Sequence, residues 1–255
     1  MAVEAYNRID FIESDPISIP HGFRSNLDKE VAGLMTALIS WGNRKAIIGT
    51  ARRWMECMDQ SPYEFVREAS TTEIRQLAKH IYRTLNEEDI QTLIGLLRLV
   101  YEKYPSLEDC FLPGFEKGNA KDGIMVFRQL FFEPMHPQRF EKHIANPQEG
   151  SAAKRINMFL RWMVRKDAQG VDFGIWNKIS MSKLSIPLDV HSGNTARELG
   201  LLIRTTDDAR AVEELDGHLR MLDPNDPVKY DFALFGLGVN NKKTNYLTQI
   251  LLIKP

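Results

Sequence analysis

The chain has 255 residues, 43% hydrophobic and 26% charged, enough to bury one large core or two smaller ones. A formal net charge of −1 excludes a globally basic nucleic-acid binder and leaves only local segregation of charge. Two cysteines, Cys57 and Cys110, exclude a four-cysteine iron–sulfur or zinc site and do not suggest a secreted disulfide scaffold. Helical periodicity then dominates in chain order. Leu27, Val31, Leu34, Met35, Leu38 and Ile39 form one apolar stripe, and Trp41-Gly42-Asn43 breaks it. A second helix follows, with Ala46, Ile47, Trp54 and Met58 apolar and Arg44, Lys45, Arg52 and Arg53 polar. Asn86 with Asp89 predicts a capping box before Ile90, Leu93, Ile94, Leu97 and Val100. Pro105, Pro113-Gly114 and Gly118-Asn119 predict a looser region, and 121–132 and 137–145 read as short helices. Residues 151–166, 209–222 and 227–237 predict three more. Alternating strand patterns are scarce, so the expected fold is all-α with about ten helices. The first residues carry acids and no apolar leader core, and no apolar run approaches about 18 residues. A soluble cytoplasmic protein is the expectation.

Three constellations carry chemistry. In Asn146–Asn157 a turn containing Gly150 and Ser151 runs into a helix start bearing Lys154 and Arg155. Free N–H groups and the dipole there favour an anion, and a cationic first turn needs one. Arg161, Arg165 and Lys166 continue the basic run, with no acid between 151 and 166. A phosphate-binding surface and an ordinary solvated face both fit. The second is Pro187-Leu188-Asp189-Val190-His191. Asp189 reads either as a helix N-cap or as a catalytic carboxylate. In a strand, Asp189 and His191 would align as a metal pair; in a helix they diverge, and His191 reads as a structural residue. No metal or cofactor is expected. The third is Ser40–Lys45. There Trp41, Asn43, Arg44 and Lys45 can meet a base or a phosphate, or Trp41 can be core and Gly42 a helix C-cap.

These segments resemble, in chain order, the HhH-GPD superfamily of DNA glycosylases, of the endonuclease III and archaeal 8-oxoguanine glycosylase kind. Leu34–Lys45 (LMTALISWGNRK) is similar to the early helix and turn. Pro147–Asn157 is similar to the helix-hairpin-helix turn, Pro187–Leu202 to the helix that follows the catalytic Asp, and Tyr230–Val239 to a late glycine-ended helix. The chain also resembles an uncharacterised bacterial domain family, typical of Bacteroidetes-like genomes, that shares GSAAKR, PLDVH and DPVKYDFALFGLGV. It departs from the glycosylase pattern in three places. Two extra residues stand between Gly150 and Lys154, Lys154 and Asp189 are 35 positions apart, and Gly193-Asn194 replaces a common Arg.

The resemblance implies a two-lobed helical fold with a cleft between a middle lobe, 43–165, and a second lobe of 1–42 with 166–255. It implies a DNA base-excision N-glycosylase, with or without lyase activity, acting on a flipped damaged base. Lys154 and Asp189 would be catalytic. Asn43, Arg44, Lys45, Gly150, Ser151, Arg155, Arg161 and Arg165 would hold DNA, with Trp41 and His191 as further candidates. The alternative is a non-catalytic helical DNA-binding protein of the same fold.

Overall fold

The structure, a computed structural model, describes residues 2–240. Three short helices lead in: α1 (Ala2–Tyr6), α2 (Asp10–Glu13) and α3 (Ser18–His21). α4 (Asn26–Leu38) starts at Ser25, whose Oγ accepts from the Asp28 N–H. A turn then reverses the chain, with Gly42 at φ +101° and Asn43 capping α5 (Arg44–Cys57). A side chain at position 42 would meet the Arg83 guanidinium as well as a strained backbone. α6 (Pro62–Glu68), α7 (Thr71–Ala78) and α8 (Glu87–Lys103) follow. The expected capping box opens α8: the Asp89 N–H donates to Asn86 at 2.9 Å, and the Asn86 N–H to Asp89 at 2.9 Å.

The region expected to be loose holds α9 (Leu107–Lys117), with Pro113 inside it, followed by α10 (Ala120–Phe131). Glycines explain why the helix survives its proline. Gly114 sits against the Asp122–Gly123 backbone and Gly123 against the Phe115 ring, so the two helices pack almost backbone to backbone. Tertiary contact offsets the missing amide donor. The helix expected over 137–145 is a 3-10 segment, Gln138–His143. The helix expected from Ser151 begins at Lys154: α11 (Lys154–Val164). Ser151 instead forms an isolated bridge with Asp208, and Ala153 turns the chain at φ +46°. α12 (Val190–Glu198), α13 (Ala209–Leu222) and α14 (Tyr230–Asn240) close the described chain. The fold is all-α, with no strand among the described residues. No helix among them is long and apolar enough to cross a membrane.

α11 is the axis. Every residue from Ile156 to Val164 is buried. Met163 and Phe159 lie over Gly33 of α4, and the Phe173 and Trp176 amides donate to the Trp162 and Met163 carbonyls at 2.8 and 2.9 Å. Two main apolar clusters result. The larger draws on residues 17 to 184 with Val228 and Phe232, and the smaller on residues 186 to 234, with α13 its largest contributor. The division expected at 42/43 and 165/166 does not coincide with them. α4 belongs with α11 in the larger cluster, because its apolar stripe and Gly33 fit that helix. Residues 241–255 of the expected second lobe lie outside the described residues.

Candidate active site

An open cleft of about 960 Å³ lies where the two clusters meet, lined by Ile47 and Met158 from one and Leu188 from the other. The start of α11 forms one wall. No side chain caps its N-terminus, because the capping position is Ala153 in the left-handed region. Lys154 is its first residue, half-buried, with Nζ 3.6 Å from Met158 Sδ. The start of α12 forms the facing contribution. Asp189 is extended at φ −129° and half-buried; its Oδ1 accepts from the His191 and Ser192 amides at 2.9 and 3.0 Å. The Asp189 N–H donates to Ser192 Oγ at 3.0 Å, which completes a capping box. The N-cap reading of Asp189 therefore describes the residue. It does not exhaust it, because Oδ2 takes no part in the cap and the residue still lines the cleft.

His191 is exposed and sets its ring edge-on to Phe235, with centroids 5.9 Å apart. It gives Asp189 its backbone N–H, not its imidazole. Among the described residues no group of three His, Cys, Asp or Glu is placed to hold a metal.

The α4–α5 turn forms the outer rim. Trp41 is 41% exposed and lines the cleft, so it is not a core aromatic. Arg83 lies over its ring, 4.3 Å from the centroid, and Tyr82 Oη donates to the Trp41 carbonyl at 3.0 Å. Arg44 also lines the cleft, over Phe235 at 5.5 Å and 4.0 Å from Asp15. Asn43 spends its side chain on the Ala46 amide at 3.0 Å, and with Lys45 lies exposed just outside. Ser151 is on the wall. Gly150 makes the turn behind it at φ +91°, and its carbonyl accepts from the Ala209 N–H.

Three cations of the expected basic face of α11 are engaged within the protein, and their assignments change. Arg155 turns back to donate to the Leu38 carbonyl, tying α11 to α4. Arg161 is 4% exposed and paired with Asp172 and Asp231. Arg165, 2% exposed, meets Asp167 at 2.8 Å and Asp172 and Asp226 at 3.0 Å. A buried guanidinium must be matched by carboxylates. All of these acids lie outside 151–166, which is why the run looked unopposed. Arg165 has no surface to offer a phosphate, and Arg161, although it borders the cleft, already has its charge matched by two carboxylates.

Two cleft residues carry chemistry that the sequence reading did not assign. Asp15 is buried on the floor, where burial raises its pKa above the ordinary carboxylate value against the Ile17 N–H and Arg44. Asp231, at the start of α14, is pushed up to about 6 by burial, opposed by Arg161 and reinforced by the Asp189 charge. The usable signal for Asp231 was a carboxylate inside the apolar run YDFALFGLGV. Asp15 gave none, since it joins the cleft only through the packing of the N-terminal segment.

Residues 15–240 match the family described as Protein of unknown function (DUF2400). The chain belongs to that family. The match reaches from Asp15 on the cleft floor to the end of α14, so the DUF2400 region contains every cleft residue described above. No curated protein and no solved structure matches the chain.

Proposed function

We propose that this DUF2400 protein is a DNA base-excision N-glycosylase that holds an extruded nucleotide in the cleft. One observation carries the reading: Lys154 and Asp189, 35 positions apart in the chain, line the same open cleft. Its volume of about 960 Å³ lies at the top of the range of roughly 300–1,000 Å³ typical of small-ligand pockets. Trp41 and Phe235 offer aromatic surface for a planar base.

In the proposed reaction the bond between C1′ and the base nitrogen breaks, and its electron pair leaves with the base, which takes up a proton. Positive charge builds on the sugar, and the free Oδ2 of Asp189 stabilises it. The new bond to C1′ comes from water in a simple glycosylase. In one with a lyase step it comes from the amine of Lys154, whose released proton balances the one the base takes up and which becomes a Schiff base as the sugar ring opens. Extruding the base costs a few kcal/mol, least for a damaged pair.

The test uses the full chain and duplexes carrying 8-oxoguanine, uracil, an alkylated base or an abasic site. Base release from at least one is expected, and Asp189→Asn abolishes it. With the lyase step, borohydride traps a covalent adduct that Lys154→Ala loses. Duplex binding without release or adduct on any lesion overturns the enzyme. It favours instead a non-catalytic DNA-binding protein, a reading to which the complete structural use of Asp189 Oδ1 in a helix cap lends weight.

A further inference from the structure

We propose that the surface gripping the DNA backbone is a basic stripe along α5 and the Arg83 turn, made of Lys45, Arg52, Arg53 and Arg83, and not the start of α11. The inference rests on the DNA reading above and relocates its main contact. Burial defines the stripe. Ile47, Thr50, Ala51 and Trp54 turn one side of α5 inward, so Lys45 and Arg52, seven residues apart, share the outward side. They stand two turns apart, about 10.5 Å along the axis. That is about three phosphate-to-phosphate steps along one strand of B-DNA, each about 3.4 Å of helix axis. Arg53 flanks Arg52, and no acid occurs from Trp41 to Met55.

Arg83 extends the stripe to the cleft. It stands on a left-handed residue, φ +52°, and lies over Trp41, which lines the cleft. All four cations are exposed, and none forms an ion pair with a described residue. Some surface cations elsewhere are neutralised, Lys103 by Glu133 and Lys178 by Asp109 among them, while others, such as Lys117 and Lys142, also form no ion pair with a described residue. What sets the stripe apart is its continuity along one helix side up to the cleft. On a chain of net charge −1, a run of unmatched cations leading to an open cleft fits a polyanion that enters there. Arg161 and Arg165 are already neutralised in the interior and cannot serve it.

Fluorescence anisotropy of the full chain with a 20-base-pair duplex, titrated across salt, tests this. Lys45→Ala with Arg52→Ala is expected to weaken binding about tenfold near 0.1 M salt. The plot of log K against log salt should become shallower by about two. Lys117→Ala with Lys142→Ala, elsewhere on the surface, serves as the control and leaves both unchanged. Circular dichroism melts confirm that each variant is folded. Wild-type binding that the Lys45/Arg52 variant reproduces in affinity and slope overturns the stripe and leaves the glycosylase reading standing. Stripe-dependent binding with no base release overturns the enzyme alone. No binding of any duplex at low salt overturns both.

Discussion

Asp189 shows how one side chain can satisfy a structural and a chemical account together. Its Oδ1 closes the N-terminus of α12, a contribution of typically about 1 kcal/mol. Its Oδ2 takes no part in the cap, and the residue lines the cleft. The two roles separate by substitution, because an asparagine caps a helix as well as an aspartate but carries no charge. Asp189→Asn is expected to melt within about 0.5 kcal/mol of wild type, and Asp189→Ala to lose about 1 kcal/mol. Both should abolish base release, since a neutral amide cannot stabilise developing positive charge. Thermal melts read alongside release from the preferred lesion check this pair. Activity retained in the asparagine variant would reduce Asp189 to a cap. Lys154 and Asp189 were legible as candidates because each stands at a helix start with an unusual local sequence. Asp15 and Asp231 were not, because what makes them notable is burial, which belongs to the packed chain.

At the scale of elements, glycine separates helices that only need to form from helices that must touch. Gly49 lies within α5 with open space around its missing side chain, whereas Gly114 of α9 abuts the Asp122 carbonyl and Gly123 backbone. Gly49→Ala is therefore expected to stabilise by about 0.5–1 kcal/mol through helix propensity and reduced unfolded-state entropy. Gly114→Ala should destabilise by about 1–3 kcal/mol, because backbone cannot give way as a flexible side chain does. Urea unfolding of the two variants beside wild type gives the comparison, and a stabilised Gly114→Ala would refute the account of α9 against α10. The same pair explains what was readable in advance. The stripe of α4 and the box before α8 are local signals that fell where periodicity and capping put them, and the α5 stripe held at Ile47 and Trp54 although Ala46 is exposed. α9 was hidden because Pro113 is a local breaker, and the contact that offsets it comes from the next helix. The start of α11 shifted for a related reason: the Ser151–Asp208 bridge joins segments far apart in sequence.

At the scale of the molecule, two cations of the basic run 154–166, Arg161 and Arg165, turn out to belong to the charged interior of the fold. α11 passes through the centre, so its cations meet acids from the following loop and from α14. Arg165 is the clearest case, in contact with three carboxylates and almost wholly enclosed. Such a pairing adds little over a well-packed apolar substitute, yet removing one partner is costly because buried charge is left unmatched. Arg165→Ala leaves Asp172 with its side chain fully buried, holding one guanidinium, Arg161, in place of two. A loss of about 3–5 kcal/mol is expected. For a chain of this size that lowers Tm by roughly 6–20 °C. A DNA-backbone contact would behave oppositely. Its removal would leave Tm nearly unchanged and reduce the salt slope of duplex binding by about one. Differential scanning calorimetry, with a salt titration run well below the lowered Tm, reads both quantities on the same variant. A large fall in Tm with an unchanged slope assigns Arg165 to the fold and removes it from the DNA contacts. An unchanged Tm with a shallower slope would return α11 to the surface and sink the ion-pair account of the core.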